Sequence, residues 1–231
     1  MFLNIIIIVS NGEGENIVIR DMIELYIAKW DFFLELTIEH LLITGISILI
    51  AAILGLILGV LISQYKKIAT TILAITNFLY TIPAISLLGF LIPYSGIGDI
   101  TAIIALTIYA LLPMVRNTYA AINSIEPFVI EAAKGMGSTQ IQILYKIKLP
   151  LATPIILAGF RNMVVMTIAL GGIASFIGAG GLGVSIYRGI TTNNAVMTCC
   201  GSLLIAVLAI GIDFIIGYFE KALKKKWRLV S

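Results

Sequence analysis

Charge is scarce in this sequence, and metal-binding or redox side chains are scarcer. Of 231 residues, only 12% are Asp, Glu, Lys or Arg, where about 25% is ordinary for a soluble domain. Such a surface cannot meet water everywhere. There is one histidine, His40, and two cysteines, Cys199 and Cys200. Neighbouring cysteines on a helix point in different directions, which excludes a disulfide framework and leaves no metal-ligand set. The cysteines read as packing residues, and His40 as an interfacial residue where the first span begins. No stretch matches G-x-x-x-x-G-K-[ST], so no phosphate-cradling loop is present and the chain does not hydrolyse ATP. No catalytic set, cofactor, metal or nucleic-acid partner is expected. The apolar string 1–10 lacks the basic start of a secretory signal, so no cleavage is assigned.

What the sequence has is long apolar runs. It is 60% hydrophobic with a mean hydropathy of +1.08. About 20 apolar residues in a helix cross a hydrocarbon core of about 30 Å. Five runs qualify: 41–62, 68–93, 100–115, 149–187 interrupted by Arg161, and 189–219 interrupted by Asp213. Lys and Arg accumulate in cytoplasmic loops. Eleven of them follow the first, third and fifth runs, against Arg20, Lys29 and Arg188 on the other side. The N-terminus is therefore expected outside and the C-terminus in the cytoplasm. Ahead of the first run, Ile23, Ile27, Trp30 and Leu34 share one face and Asp21, Glu24, Asp31 and Glu35 another. That pattern predicts an amphipathic helix on the outer surface, either an interfacial anchor or a docking site for a partner.

The long polar connection, 117–150, reads as two short helices. Pro127 suits the first position of a helix. Gly135 and Gly137 end it, and Thr139 with Gln142 forms a capping box for the next. Leu149-Pro150 is expected to close that helix and bend the chain into the fourth span. Such a knob either transmits force to a cytoplasmic partner or merely connects two spans.

Glu131-Ala132-Ala133, then Gly137, then Ile147-Lys148-Leu149-Pro150 resembles the EAA loop of binding-protein-dependent ABC importer permeases, matching every fixed position. The motifs Thr81-Ile82-Pro83-Ala84, Leu106-Thr107-Ile108-Tyr109-Ala110-Leu111-Leu112-Pro113, Val115-Arg116-Asn117-Thr118-Tyr119 and 176–183 look like the glycine betaine/carnitine/choline branch. The resemblance covers roughly 39–223. It implies an all-α membrane protein with the five-helix type I ABC importer permease core, multi-pass in the cell membrane. It also implies ATP-binding cassette ATPase subunits seated on Glu131, Ala132, Ala133 and Gly137. A second permease copy or sister permease and an extracellular substrate-binding protein complete the assembly. The domains are then an extracellular segment 1–40, a permease region 41–219 and a basic cytoplasmic tail 220–231. The solute is expected to be an osmoprotectant, or alternatively methionine or another amino acid.

Gly178-Ala179-Gly180-Gly181-Leu182-Gly183 matches G-x-G-x-x-G, but no strand precedes it and it lies at the outer end of a span. A re-entrant turn and part of an outer gate is the better reading. Gly55 and Gly59 form a GxxxG pair suited to close packing within the chain. Arg161 lies about 16 Å past Pro150 and Asp213 about 12 Å before Lys221, so the two are predicted to pair at similar depth. The pair either holds two spans together or serves a pathway. Tyr80, Tyr109 and Tyr119 either face that pathway or pack. With both tryptophans, Trp30 and Trp227, at the membrane ends, no high-affinity aromatic cage is expected.

Overall fold

The structure, a computed structural model, describes residues 12–226, and among these no strand occurs. Helix α1 (Gly12–Ala28) breaks at Lys29 before α2 (Trp30–Gln64). Then follow α3 (Lys66–Thr81), α4 (Ala84–Ser95), α5 (Asp99–Asn123), α6 (Pro127–Gly135) and α7 (Gln140–Gly171). A 3-10 turn (Ala174–Ile177), α8 (Gly183–Thr191) and α9 (Ala195–Lys226) complete the order. The string 1–10, Trp227 and Arg228 lie outside the described residues.

Among the described residues, α2, α5, α7 and α9 are each long and apolar enough to cross a membrane. The run 68–93 is not one straight span. It is the pair α3 and α4, bent by 99°. The reason is local: Pro83 has no N–H to continue the ladder and forces Ile82 into extended backbone (φ −68°, ψ 126°). The Ile82 carbonyl, freed by the break, accepts the Tyr109 hydroxyl.

The chain differs from expectation at the start of the first span and at the end of the fourth. Residues 30–40 belong to α2 rather than to a separate surface helix, so position 40 lies inside a helix. The 35 residues of α2 extend about 52 Å at 1.5 Å per residue, well beyond the core of the bilayer. Ahead of it, α1 packs on α9: the Tyr26 hydroxyl donates to the Cys200 carbonyl at 2.8 Å. The Ile23, Ile27, Trp30 and Leu34 stripe stays exposed. The fourth span stops at Gly171, well short of Tyr187. Gly171 and Gly172 weaken the helix, and left-handed Gly178 (φ 73°) and Gly181 (φ 91°) turn the chain. His40 is buried among the helices. It is 1% exposed, and its Nε2 lies 3.0 Å from the Ile168 carbonyl.

Hydrophobicity does not drive helices together in lipid, so close backbone approach matters. Gly55 rests on Met114 and Gly59 on Thr118, joining α2 to α5; Gly159 rests on Asn117, joining α7 to α5. Ala51, Ala110, Met163 and Ala209 then meet where the four long helices converge.

A Cβ at Gly59 would stand 2.5 Å from the Thr118 Cβ, whereas Gly45 has nothing within 4 Å. Gly59→Leu is expected to destabilise the chain by about 1–3 kcal/mol through overpacking. Gly45→Ala is expected to hold or raise stability, and thermal melts in detergent distinguish the two.

Candidate functional site

The polar knob forms from its own short-range chemistry. Pro127 starts α6. At the other end, Met136 N–H donates to the Ala132 carbonyl at 3.0 Å and Ser138 N–H to Ala133 at 3.1 Å. Gly137 takes φ +81°, which an L residue adopts only with strain. Thr139 N–H then donates to Gln142 Oε1 at 2.9 Å and Gln142 N–H to Thr139 Oγ1 at 3.3 Å. Those two bonds complete the capping box. Glu131, Ala132 and Gly137 are exposed. Ala133 is 1% exposed, so it packs against its own chain rather than offering itself to a partner. Exposed Phe128, Met136, Ile141 and Tyr145 add an apolar surface that the sequence reading missed.

Leu149-Pro150 does not close a helix. The segment Leu144–Lys148 widens into a π turn, and Leu149 N–H reaches back five residues to the Leu144 carbonyl. A π turn moves the carbonyl that a proline ring would otherwise strike. Ile147, Leu149 and Pro150 therefore sit half-buried inside one helix running from the knob into the membrane.

Higher on that helix, Arg161 faces α9. Its Nε lies 2.5 Å from Asp213 Oδ1 and its Nη2 2.5 Å from Oδ2, a two-pronged contact. Glu220, two turns further along α9 and only 8% exposed, accepts a third contact at 3.5 Å. The guanidinium lies across Gly217, which leaves room for it. Glu220 stands seven positions from Asp213, two turns along the same face, and that spacing was the available signal. Its place beside Lys221 hid it among tail charges.

The glycine turn that follows α7 is held by two spans. Gly180 N–H donates to Asp99 Oδ1 and Gly181 N–H to Glu39 Oε2, each at 2.9 Å. Gly98 N–H also donates to the Ile177 carbonyl at 3.1 Å. His40 lies against Gly171 and Gly181. Because a carbonyl only accepts, His40 Nε2 carries the proton toward Ile168. Gly178 is exposed, Gly180 is half-buried against Glu39, and Gly183 packs on Gly172. Neither Glu39 nor Asp99 was signalled by sequence, since each lies far from the turn along the chain.

Two of the three tyrosines come together. The Tyr80 and Tyr109 rings meet edge to face at 5.8 Å, and the Tyr80 hydroxyl lies 3.3 Å from Met166 Sδ. Tyr80 is exposed, and Tyr109 is buried behind it. Tyr119 stands about 15 Å further along α5, packed on the Ile62, Ala69 and Val115 cluster.

Residues 42–228 match the family described as "Binding-protein-dependent transport system inner membrane component". The chain is 37% identical over 213 residues to the choline transport system permease protein OpuBD of Bacillus subtilis (strain 168), covering 90% of this chain and 94% of that protein. It is 40% identical over 205 residues to the glycine betaine/carnitine/choline transport system permease protein OpuCD of the same organism, covering 87% and 90%. It is 38% identical over 211 residues to the osmoprotectant import permease protein OsmW of Salmonella typhimurium, covering 89% and 98%. Among solved structures, an inward-facing MetNI methionine ABC transporter is similar with a TM-score of 0.74 and 29% identity, covering 83% and 95%. A bacterial alginate ABC transporter, at 17% identity and a TM-score of 0.71, shares the fold.

Because Arg161 meets two carboxylates, Arg161→Met is expected to lower the melting temperature more than Asp213→Asn. Combining the two should recover part of the loss, and adding Glu220→Gln more of it. Melts of the four variants in one detergent check the order; full recovery in the double variant would leave Glu220 without a share.

Proposed function

The chain belongs to the family of binding-protein-dependent transport system inner membrane components, and from that premise we propose that it imports quaternary ammonium osmoprotectants such as glycine betaine, carnitine and choline. It is a permease subunit of an ABC importer, with ATP hydrolysed on separate ATPase subunits. One observation carries the choice of solute: identity of 37% and 40% to the choline and glycine betaine permeases over most of the chain. The methionine transporter reaches 29%, so an amino-acid solute is the second reading.

The mechanism proposed is as follows. The N-terminus lies outside, which places the knob in the cytoplasm with the Lys-rich loops. Two permease chains enclose the path. The ATPase subunits grip Glu131, Ala132, Gly137 and the apolar surface around them. Their closure moves α7 as one body and turns the cavity outward to a substrate-binding protein. The Tyr80 face, backed by Tyr109 and Met166, lines the path as a shallow cation–π surface. Tyr119 belongs to the packing instead. The outer turn carrying Gly178, Gly180, Gly181 and Gly183 closes the far end. The Arg161 and Asp213 pair holds α7 to α9 while this happens. No cofactor is needed in this chain.

Reconstituted with its ATPase and binding protein, the chain is expected to drive ATP-dependent uptake of labelled glycine betaine. Unlabelled carnitine and choline should compete and methionine should not. Competition by methionine alone would transfer the assignment to the second reading. Glu131→Lys is expected to cut uptake about tenfold or more, the loss of one docking contact of about 1.4 kcal/mol, while the melting temperature of the permease stays unchanged.

A further inference from the structure

At the knob end of the bundle, two cavities of opposite character run into each other. One is a cleft of about 580 Å³ lined by Lys67, Lys148, Gln64, Gln140 and Ser63, within the size of ordinary ligand sites. The other is an apolar groove of about 230 Å³ lined by Leu58, Leu61 and Ile62 of α2 and Ile72 of α3. Tyr65 and Ile68 belong to both. From Tyr65 back to Leu58 is about 10 Å of helix, so the groove leads from the charged cleft toward the middle of the bilayer.

The cleft's chemistry is one-sided. Two ammonium groups, two amides and the hydroxyls of Ser63 and Tyr65 line it, and among the described residues no carboxylate does. Tyr65 stands exposed at the junction, the place where amphipathic rings sit in membranes. A free anion would use the cleft and leave the groove idle, and an uncharged lipid would do the reverse. One kind of molecule uses both.

We propose that this composite cavity binds an anionic glycerophospholipid of the leaflet facing the knob. Its phosphate lies between Lys67 and Lys148, and an acyl chain lies along Leu58, Leu61 and Ile72. The site joins α3 to the base of the knob, since Lys67 belongs to one and Lys148 to the other. It rests on the reading that the knob faces the cytoplasm, where Lys and anionic headgroups meet.

The test is native mass spectrometry of the assembled importer titrated with phosphatidylglycerol, with phosphatidylcholine of the same chains, and with glycerol 1-phosphate. Phosphatidylglycerol is expected to bind best and glycerol 1-phosphate not to be retained. K67Q/K148Q should weaken phosphatidylglycerol about thirtyfold, some fivefold for each lysine, while K67R/K148R keeps it. Leu61→Trp, which fills the groove and leaves the lysines in place, should also release it. Equal retention of both lipids, or retention of glycerol 1-phosphate as tight as the lipid, would overturn the proposal. So would efficient cross-linking of Leu61→Cys between two copies in the membrane, which would make the groove a protein interface. Lipid retention is read without transport, so its failure is distinct from failure of betaine uptake.

Discussion

The continuity of α7 through Pro150 is the constraint on which the rest of this structure depends. A proline inside a helix ordinarily breaks it or kinks it. Here the turn before it widens, Leu149 bonds to Leu144, and the helix keeps its course from Gln140 to Gly171. The knob is therefore the lower end of a spanning helix, not an appendage on a loop. A displacement at the capping box reaches the middle of the bilayer along one helix, softened at the π turn and at Pro154, which leaves a rung of the ladder unmade.

The neighbours of α7 are chosen to hold it closely without an oily driving force. Gly159 lets Asn117 approach, and Gly171 lets His40 and Thr44 approach. On the α9 side the contact is ionic instead. Arg161 is held by Asp213 and Glu220 across the bare backbone of Gly217. Charges at that depth persist when they are paired. Shape on one side and charge on the other fix the rotation of α7 about its own axis, which neither contact could do alone.

How much was legible follows from the range of each interaction. The knob could be read because Pro127, Gly137, Thr139 and Gln142 act on residues within five positions of themselves. The depth of Arg161 and Asp213 could be counted along their helices. The 99° turn at Pro83 was missed because hydropathy reports preference for lipid and says nothing of direction. The end of the fourth span was missed for the same reason: 172–187 is apolar but glycine-broken. The burial of His40 and the roles of Glu39 and Asp99 depend on partners distant in sequence. No local pattern announces those.

The place where Gly159 rests on Asn117 has a mechanical consequence. It divides α7 unequally, with about 29 Å toward Gln140 and about 18 Å toward Gly171. A stiff rod pivoting on that fulcrum reverses the sense of motion and shortens its stroke to roughly six-tenths. A pull that draws the lower arms of two such chains together would spread their upper ends. The gearing of the importer would then be set by where one glycine falls along one helix.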